Sequence, residues 1–396
     1  VAWGAAALSV AALGYGACGL EQDEAEVADA SARRELLSNL GEHVILATYE
    51  EFSAAAQKLD AALAAYADAP GETTRTAAQM AFVEALRVWE RAEVYQLGPA
   101  ADVTNFNPGA LGLRAEIYAW QDANPCVVDR GLINKSYESD DFEGDVYPYG
   151  RDLSAIERLL FSTEAATACP ASDKVVTAEA WAALGNSELT ERRARYAASA
   201  GAVVTAKAKQ LVKAFRDDFL PELTQAGEGS KLFDRTQEAL NAVTNALFYI
   251  DFDVRDMKLG GPLGHSADCA SGGCPTELPY AKQSKQAVIE NLIALRAMFE
   301  GHLPDAEPET LELAGLNDLL VSVGAESLVK SIDAAISEAQ GAVEKVEPNF
   351  EEALRAPDAA MSQAFDALQA LADLLKTEFL QKLALNPPMR ASGDND

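Results

Sequence analysis

Residues 150–161, GRDLSAIERLLF, set one acid, Glu157, among Leu153, Ile156, Leu159, Leu160 and Phe161. A carboxylate in the apolar stretch of a helix is costly unless something meets its charge. It can be a ligand, a catalyst or a charge favoured by the N-terminal end of its helix. Ser154 and Glu157 share a helix face at a spacing of three, and Asp152 heads the same run. Further acids precede two Leu-Gly stops: Glu90 and Glu93 before QLGP, and Asp251, Asp253 and Asp256 before KLGGPLG. Carboxylate oxygens suit hard cations such as Ca2+, Mg2+ or ferric iron. The candidate metal ligands are Glu157, Asp152, Glu93 and His265, the last beside the loop GGPLGH. The candidate ligand contacts are Glu157, Ser154, Asp152, Tyr149 and Lys258. The plainer alternative pairs Glu157 locally with Arg87, Arg151 or Lys258 and leaves the other acids in water. Tyr147, Pro148 and Tyr149 either line a ligand cleft or fill a junction between bundles.

Familiar hydrolytic chemistry has little to build on. A catalytic zinc usually takes three protein ligands, commonly histidines with a carboxylate, and a bound water. The chain has three histidines, His43, His265 and His302, and no HExxH. It has no G-x-S-x-G nucleophile turn.

The elements that must hold these residues read as helices. Ala and Leu are abundant, and apolar residues recur three and four apart through every long segment. The segment SELTERRARY, starting at Ser187, reads as the head of one such helix, with acids in its first turn. The expected class is all-α, two related antiparallel helical bundles built from a duplicated four-helix unit. The duplication rests on an echo: helix, Leu-Gly-Pro stop, loop, Pro-Tyr, then SAIERL in one half and AVIENL in the other. Glu157 matches Glu290 in that comparison. The expected division is an apolar leader over 1–18, an acidic tether over 19–29, a first bundle over 30–186, a second over 187–386, and a disordered tail over 387–396.

Acids outnumber bases 62 to 32, a formal net charge of -30, which excludes a generic phosphate-binding surface and hence nucleic acid as a partner. The opening VAWGAAALSVAALGYGAC has the apolar run and small residues of an export signal. Its end, YGAC, is similar to a bacterial lipobox, which implies a membrane anchor through a lipidated Cys18. Four cysteines remain, and an even number in an exported chain implies disulfides. CASGGC sets Cys269 and Cys274 across a tight loop, which leaves Cys126 to pair with Cys169.

ALRVWERAEVYQLGP, IYAWQD, SAIERLLF, KLGGPLG and KQSKQAVIENLIALRAMFEG, in this order, resemble the imelysin-like family. That family consists of exported bacterial proteins, often lipoproteins, made of two related helical bundles. It is named for a proposed insulin-cleaving metallopeptidase and includes relatives of the EfeO-type periplasmic iron-uptake component. The resemblance therefore implies envelope capture of a metal ion (iron, zinc or calcium) or a small ligand, in iron acquisition with iron-uptake components as partners. It also implies periplasmic exposure at the outer membrane of a Gram-negative cell. The family motif is GxHxxE. Glu157 falls on its Glu, Ser154 on its His and Asp152 on its Gly. The acid is kept and the imidazole is lost, which weakens the alternative of a metal-dependent peptidase. A structural or interaction lipoprotein with a vestigial site is the third reading.

Overall fold

The computed structural model describes residues 29–387 apart from 105–106, 164–165, 266–268, 270–273, 305, 307–313 and 356–358. The expectations for the leader, Cys18 and residues 388–396 lie outside the described residues. The described chain is all-α, with no strand. No helix in it is long and apolar enough to cross a membrane.

Helix α1 starts at residue 29, passes a π turn at Leu40–Leu46 and continues as Ala47–Asp68. Its buried side chains, Leu36, Leu40, Val44, Tyr49, Phe52, Ala56, Leu59 and Leu63, follow the three-and-four spacing except at the π turn, where Val44 and Tyr49 are five apart. Helix α2, Glu72–Glu93, packs antiparallel to it and stops before Gly98–Ala100. Gly98 has φ +52°, and a Cβ there would lie 2.6 Å from the Phe219 ring, so this stop needs glycine. Among the short helices that follow are α3 (Leu113–Ile117) and α4 (Pro125–Asn134), and then comes α5 (Leu153–Phe161). Helix α6, Ala178–Ala214, runs on through a π turn at Phe215–Phe219 to Leu220–Thr224.

The second half opens with α7, Thr236–Asn245, which passes a 3-10 turn (Ala246–Phe248) and an eleven-residue π segment (Ile250–Gly260) before Gly261–Leu263. Helix α8 is Ser284–Glu300, α9 Leu316–Ser322, α10 Glu326–Glu344, and α11 Ala359–Leu374 with a further π turn at Leu375–Phe379.

One expectation changes. Helix α6 begins at Ala178, capped by the Thr177 hydroxyl, and the residues from Ser187 onward follow a kink at Gly185 (φ 63°). It packs on α1 and α5, with Thr205 Oγ1 donating to Ala56 O at 3.0 Å. The whole of α6 therefore belongs to the first bundle, not the second, because α1, α2 and α5 alone leave the apolar face of α1 open. Glu290, matched to Glu157 by the SAIERL and AVIENL segments, lies at the seam. Glu290 is buried against α2, where it accepts from Arg87 Nε at 2.9 Å.

The two bundles share one continuous apolar core. Helix α2 packs on α8 across the seam. Asn291 Nδ2 donates to Glu90 O at 2.6 Å, Tyr95 to Ala294 O at 3.1 Å, and Asn39 Nδ2 to Gly301 O and Ala314 O, both at 2.7 Å. Cys126 is bonded to Cys169 and Cys269 to Cys274, as the spacing implied.

The first bridge spans 43 residues and the second 5. Closing the longer loop removes more freedom from the unfolded chain. Cys126→Ser is expected to cost ~2–5 kcal/mol and Cys269→Ser clearly less, read as urea midpoints of the two variants.

Candidate functional site

Asp152 sets up the head of α5. Its Oδ1 accepts from Ala155 N at 3.0 Å, as an N-cap does, and from Ser154 Oγ at 2.6 Å, while Oδ2 accepts from Ala119 N at 2.6 Å. Burial pushes its carboxyl up to about 6 against the pull of these donors. Both oxygens are engaged in holding the chain, so Asp152 caps and positions α5.

Glu157 follows on the buried face of α5. Its Oε1 accepts from Tyr280 N at 2.9 Å and Ala281 N at 2.7 Å. These donors belong to the Pro-Tyr segment leading into α8, so the second half of the chain, not the head of α5, supplies the N–H groups. Burial pushes the Glu157 carboxyl up to about 8 and outweighs both donors. The expectation that the helix end favours its anion is corrected on that ground. The cations considered for it are elsewhere: Arg87 on Glu290, Arg151 on Glu116 at 2.8 Å and Lys258 on Glu90.

Next to Glu157, Arg158 donates to both oxygens of Asp129 at 2.9 Å and to the Tyr280 hydroxyl at 2.6 Å. Asp129 also accepts from Thr167 Oγ1 and Ala168 N, at 2.8 and 2.7 Å. This buried pair joins α4, α5 and the chain around the Cys126–Cys169 bridge. Nothing in the linear pattern connects residues 29 positions apart, and sequence reading missed it.

Between the halves lies a cavity of about 570 Å³. Trp120, Tyr149, Ser154 and Glu157 line it from the first half, and Glu277 and Tyr280 from the second. Both Pro-Tyr segments of the sequence echo thus reach the same space. Tyr149 stacks on Tyr147 with ring centroids 5.5 Å apart.

Glu277 leads from this cavity into a buried centre. Glu90 and Glu93, three apart on α2, point the same way because helix spacing puts them on one face. The π segment of α7 brings Lys258 between them, and α8 contributes Asn291. Lys258 Nζ donates to Glu90 Oε2 at 2.6 Å and Asn291 Oδ1 at 3.0 Å, and lies 3.0 Å from Glu277 Oε1 and 3.7 Å from Glu93 Oε2. Burial raises the carboxyls of Glu90 and Glu277, and Lys258 opposes it in both. Burial alone would lower the Lys258 ammonium, but the carboxylates around it raise it instead, so it stays charged.

The four residues expected to share a metal are therefore not brought together. Glu157 opens on the cavity, Asp152 is a cap, and Glu93 lies in the buried centre. His265 is exposed, with its ring against Phe365. Among the described residues two groups have metal-ligand spacing. In one, Cys126 and Cys169 with Asp173, both sulfurs are spent on the disulfide. In the other, Glu90, Glu93 and Glu277, the oxygens are spaced for a cation and an ammonium already stands among them. Glu277 escaped sequence reading because a Pro-rich loop carries no periodicity. Lys258 was singled out, but for a cleft it does not line.

Fold and site together define an all-α protein of two antiparallel bundles, joined over a buried charge centre and a cavity lined by both. The imelysin family model, Peptidase_M75, matches residues 45–377, and the chain belongs to that family. No curated protein matches it. Its fold is similar to that of a proposed iron-regulated protein A precursor from Parabacteroides distasonis, with TM-score 0.69, 13% identity, and coverage of 89% of this chain and 95% of that one. It is also similar to an imelysin-like protein from Psychrobacter arcticum, with TM-score 0.67, 14% identity, and coverage of 91% and 98%.

Two outcomes follow from this geometry. Folded Glu157 keeps its proton up to about 8, whereas the unfolded chain ionises near the ordinary 4.5. The native state therefore binds more protons across that window, and this stability, fully present below it, is lost as pH rises through it, at up to about 1.4 kcal/mol per pH unit. Urea midpoints measured from pH 5 to 8 should fall less steeply in Glu157→Gln than in the unaltered chain. Asp129→Ala leaves the Arg158 guanidinium buried without its carboxylate and should cost about 3–5 kcal/mol in the same measurement.

Proposed function

We propose that this chain is an imelysin-type capture protein of the cell envelope, which receives a metal ion or a small cation-bearing ligand in the cavity against Glu157, in an iron-related role. One observation carries the reading. Glu157 is a buried carboxylate that opens on a cavity of about 570 Å³ and has no ion-pair partner among the described residues. A cation entering the cavity supplies the charge that burial withholds and draws the carboxyl into its ionised form. A net charge of -30 raises the local concentration of cations around the whole molecule.

The iron-related part rests on the family and on the name of the Parabacteroides distasonis protein. Two disulfides support an oxidising compartment. Attachment through a lipidated Cys18, and delivery to iron-uptake components, complete the proposal. A metal-dependent peptidase has less support. His43 and His265 are exposed, the His302 ring meets Leu303 O, and none of the three lines the cavity. The imidazole that a catalytic zinc usually needs is not assembled there.

Protein purified without chelator should carry or take up one of Fe2+, Fe3+, Zn2+ or Ca2+, read by metal analysis and calorimetry. Glu157→Ala should weaken that uptake about tenfold or more, equivalent to about 1.4 kcal/mol, with its helical circular dichroism unchanged. Equal uptake by both proteins, or none by either, removes the capture reading and favours an interaction protein.

A further inference from the structure

Glu90, Glu93 and Glu277 each offer one oxygen within 4.8 Å of the others. That is the span of ligands on opposite sides of a cation bound at ~2.3–2.6 Å. All three side chains are fully buried. Three carboxyl groups that converge in an apolar interior must either take up protons or gather around positive charge. The charge present is one ammonium, and it serves the centre incompletely. Two of its contacts are hydrogen bonds, to Glu90 Oε2 and Asn291 Oδ1. Of the six carboxyl oxygens, Glu90 Oε2 accepts a hydrogen bond from the ammonium and Glu277 Oε1 is ion-paired with it at 3.0 Å, while the other four are buried and accept no hydrogen bond. The nearest cation to Glu93 Oε1 is Arg114, at 3.6 Å. Beside the acids, the Tyr118 and Tyr249 hydroxyls are likewise buried and unmatched. A lysine brings three donors on one side of one atom, whereas a hard cation binds six to eight oxygens from all directions.

We propose that Glu90, Glu93 and Glu277 form a hard-cation site whose occupant in this chain is the Lys258 ammonium, so that no metal ion enters the centre while Lys258 stands in it. The ammonium arrives by the covalent chain, on the π segment Ile250–Gly260. It cannot be stripped by a chelator or exchanged for another ion, which makes the centre a fixed part of the seam between the bundles. The unmatched oxygens are the ligands that a metal ion would use and an ammonium leaves idle. This inference concerns a different cluster from capture at Glu157: neither Glu90 nor Glu93 lines the cavity, and of the three acids Glu277 alone touches both.

The test uses the full chain, stripped of metal and titrated with Mn2+ and with Ca2+. Lys258→Ala should take up one further equivalent of metal relative to the unaltered chain, and adding Glu93→Gln to that variant should abolish the gain. Glu93→Gln alone should leave metal uptake by the unaltered chain as it was. The unfolding midpoint of Lys258→Ala should be lowered in the absence of metal and should rise with Mn2+ or Ca2+ more than that of the unaltered chain does. Two results overturn the proposal. One is metal uptake by the unaltered chain that Glu93→Gln removes. The other is a Lys258→Ala chain that gains neither binding nor stability from either ion, including one that stays unfolded when refolded with them.

Discussion

The two bundles meet over charges that water does not reach, and each of those charges has to be met from inside the protein. Lys258 sits with Glu90 and Glu277 at 2.6 and 3.0 Å, and Arg87 reaches the buried Glu290. An unpaired ion at any of these places would carry a penalty of several kcal/mol. The partners come from distant parts of the chain, 168 residues apart for Lys258 and Glu90. A separated pair of bundles would expose or orphan them, so burial of charge ties α2 to α7 and α8 in one orientation. The apolar core supplies the adhesion, and the ion pairs decide which faces may adhere.

That division explains what the sequence revealed. Helix class and most helix positions are written in local spacing, and Leu36, Leu40, Val44, Phe52 and Leu59 could be read from the residues alone. Glu157 was visible for a similar reason, as an acid out of place among Leu153, Ile156 and Leu160. The two cysteine pairs were legible from a five-residue loop and from elimination. What could not be read were partnerships across the chain. Lys258 is an ordinary lysine in the sequence, and only the fold puts three acids around it. Arg158 next to Glu157 drew no reading of its own, yet it is buried against Asp129. The π segments were invisible too, since a wider turn shifts which side chains face inward without altering composition.

The same widening shapes the site. A regular α-helix over Ile250–Gly260 would present its side chains at steady 100° steps. The π turns change that step, so Asp251, Asp253 and Lys258 are all buried in one segment that still ends at the Gly-Pro stop. π turns are frequent where a helix must serve two demands at once. Here one demand is packing against α11 and the other is delivery of Lys258 to the seam. The loop after α7 then supplies Glu277 and the Pro-Tyr segment, and the two N–H groups of that segment hold Glu157.

Glu277 stands in both places, on the wall of the cavity and beside the Lys258 ammonium. It has a single negative charge to share. On the proposed reading, a cation lodged in the cavity and the ammonium behind the wall would draw on it in opposition. Such linkage is reciprocal by thermodynamic necessity. Were the cavity to take a cation, the wall carboxylate would tie its affinity to the hold of the seam between the bundles.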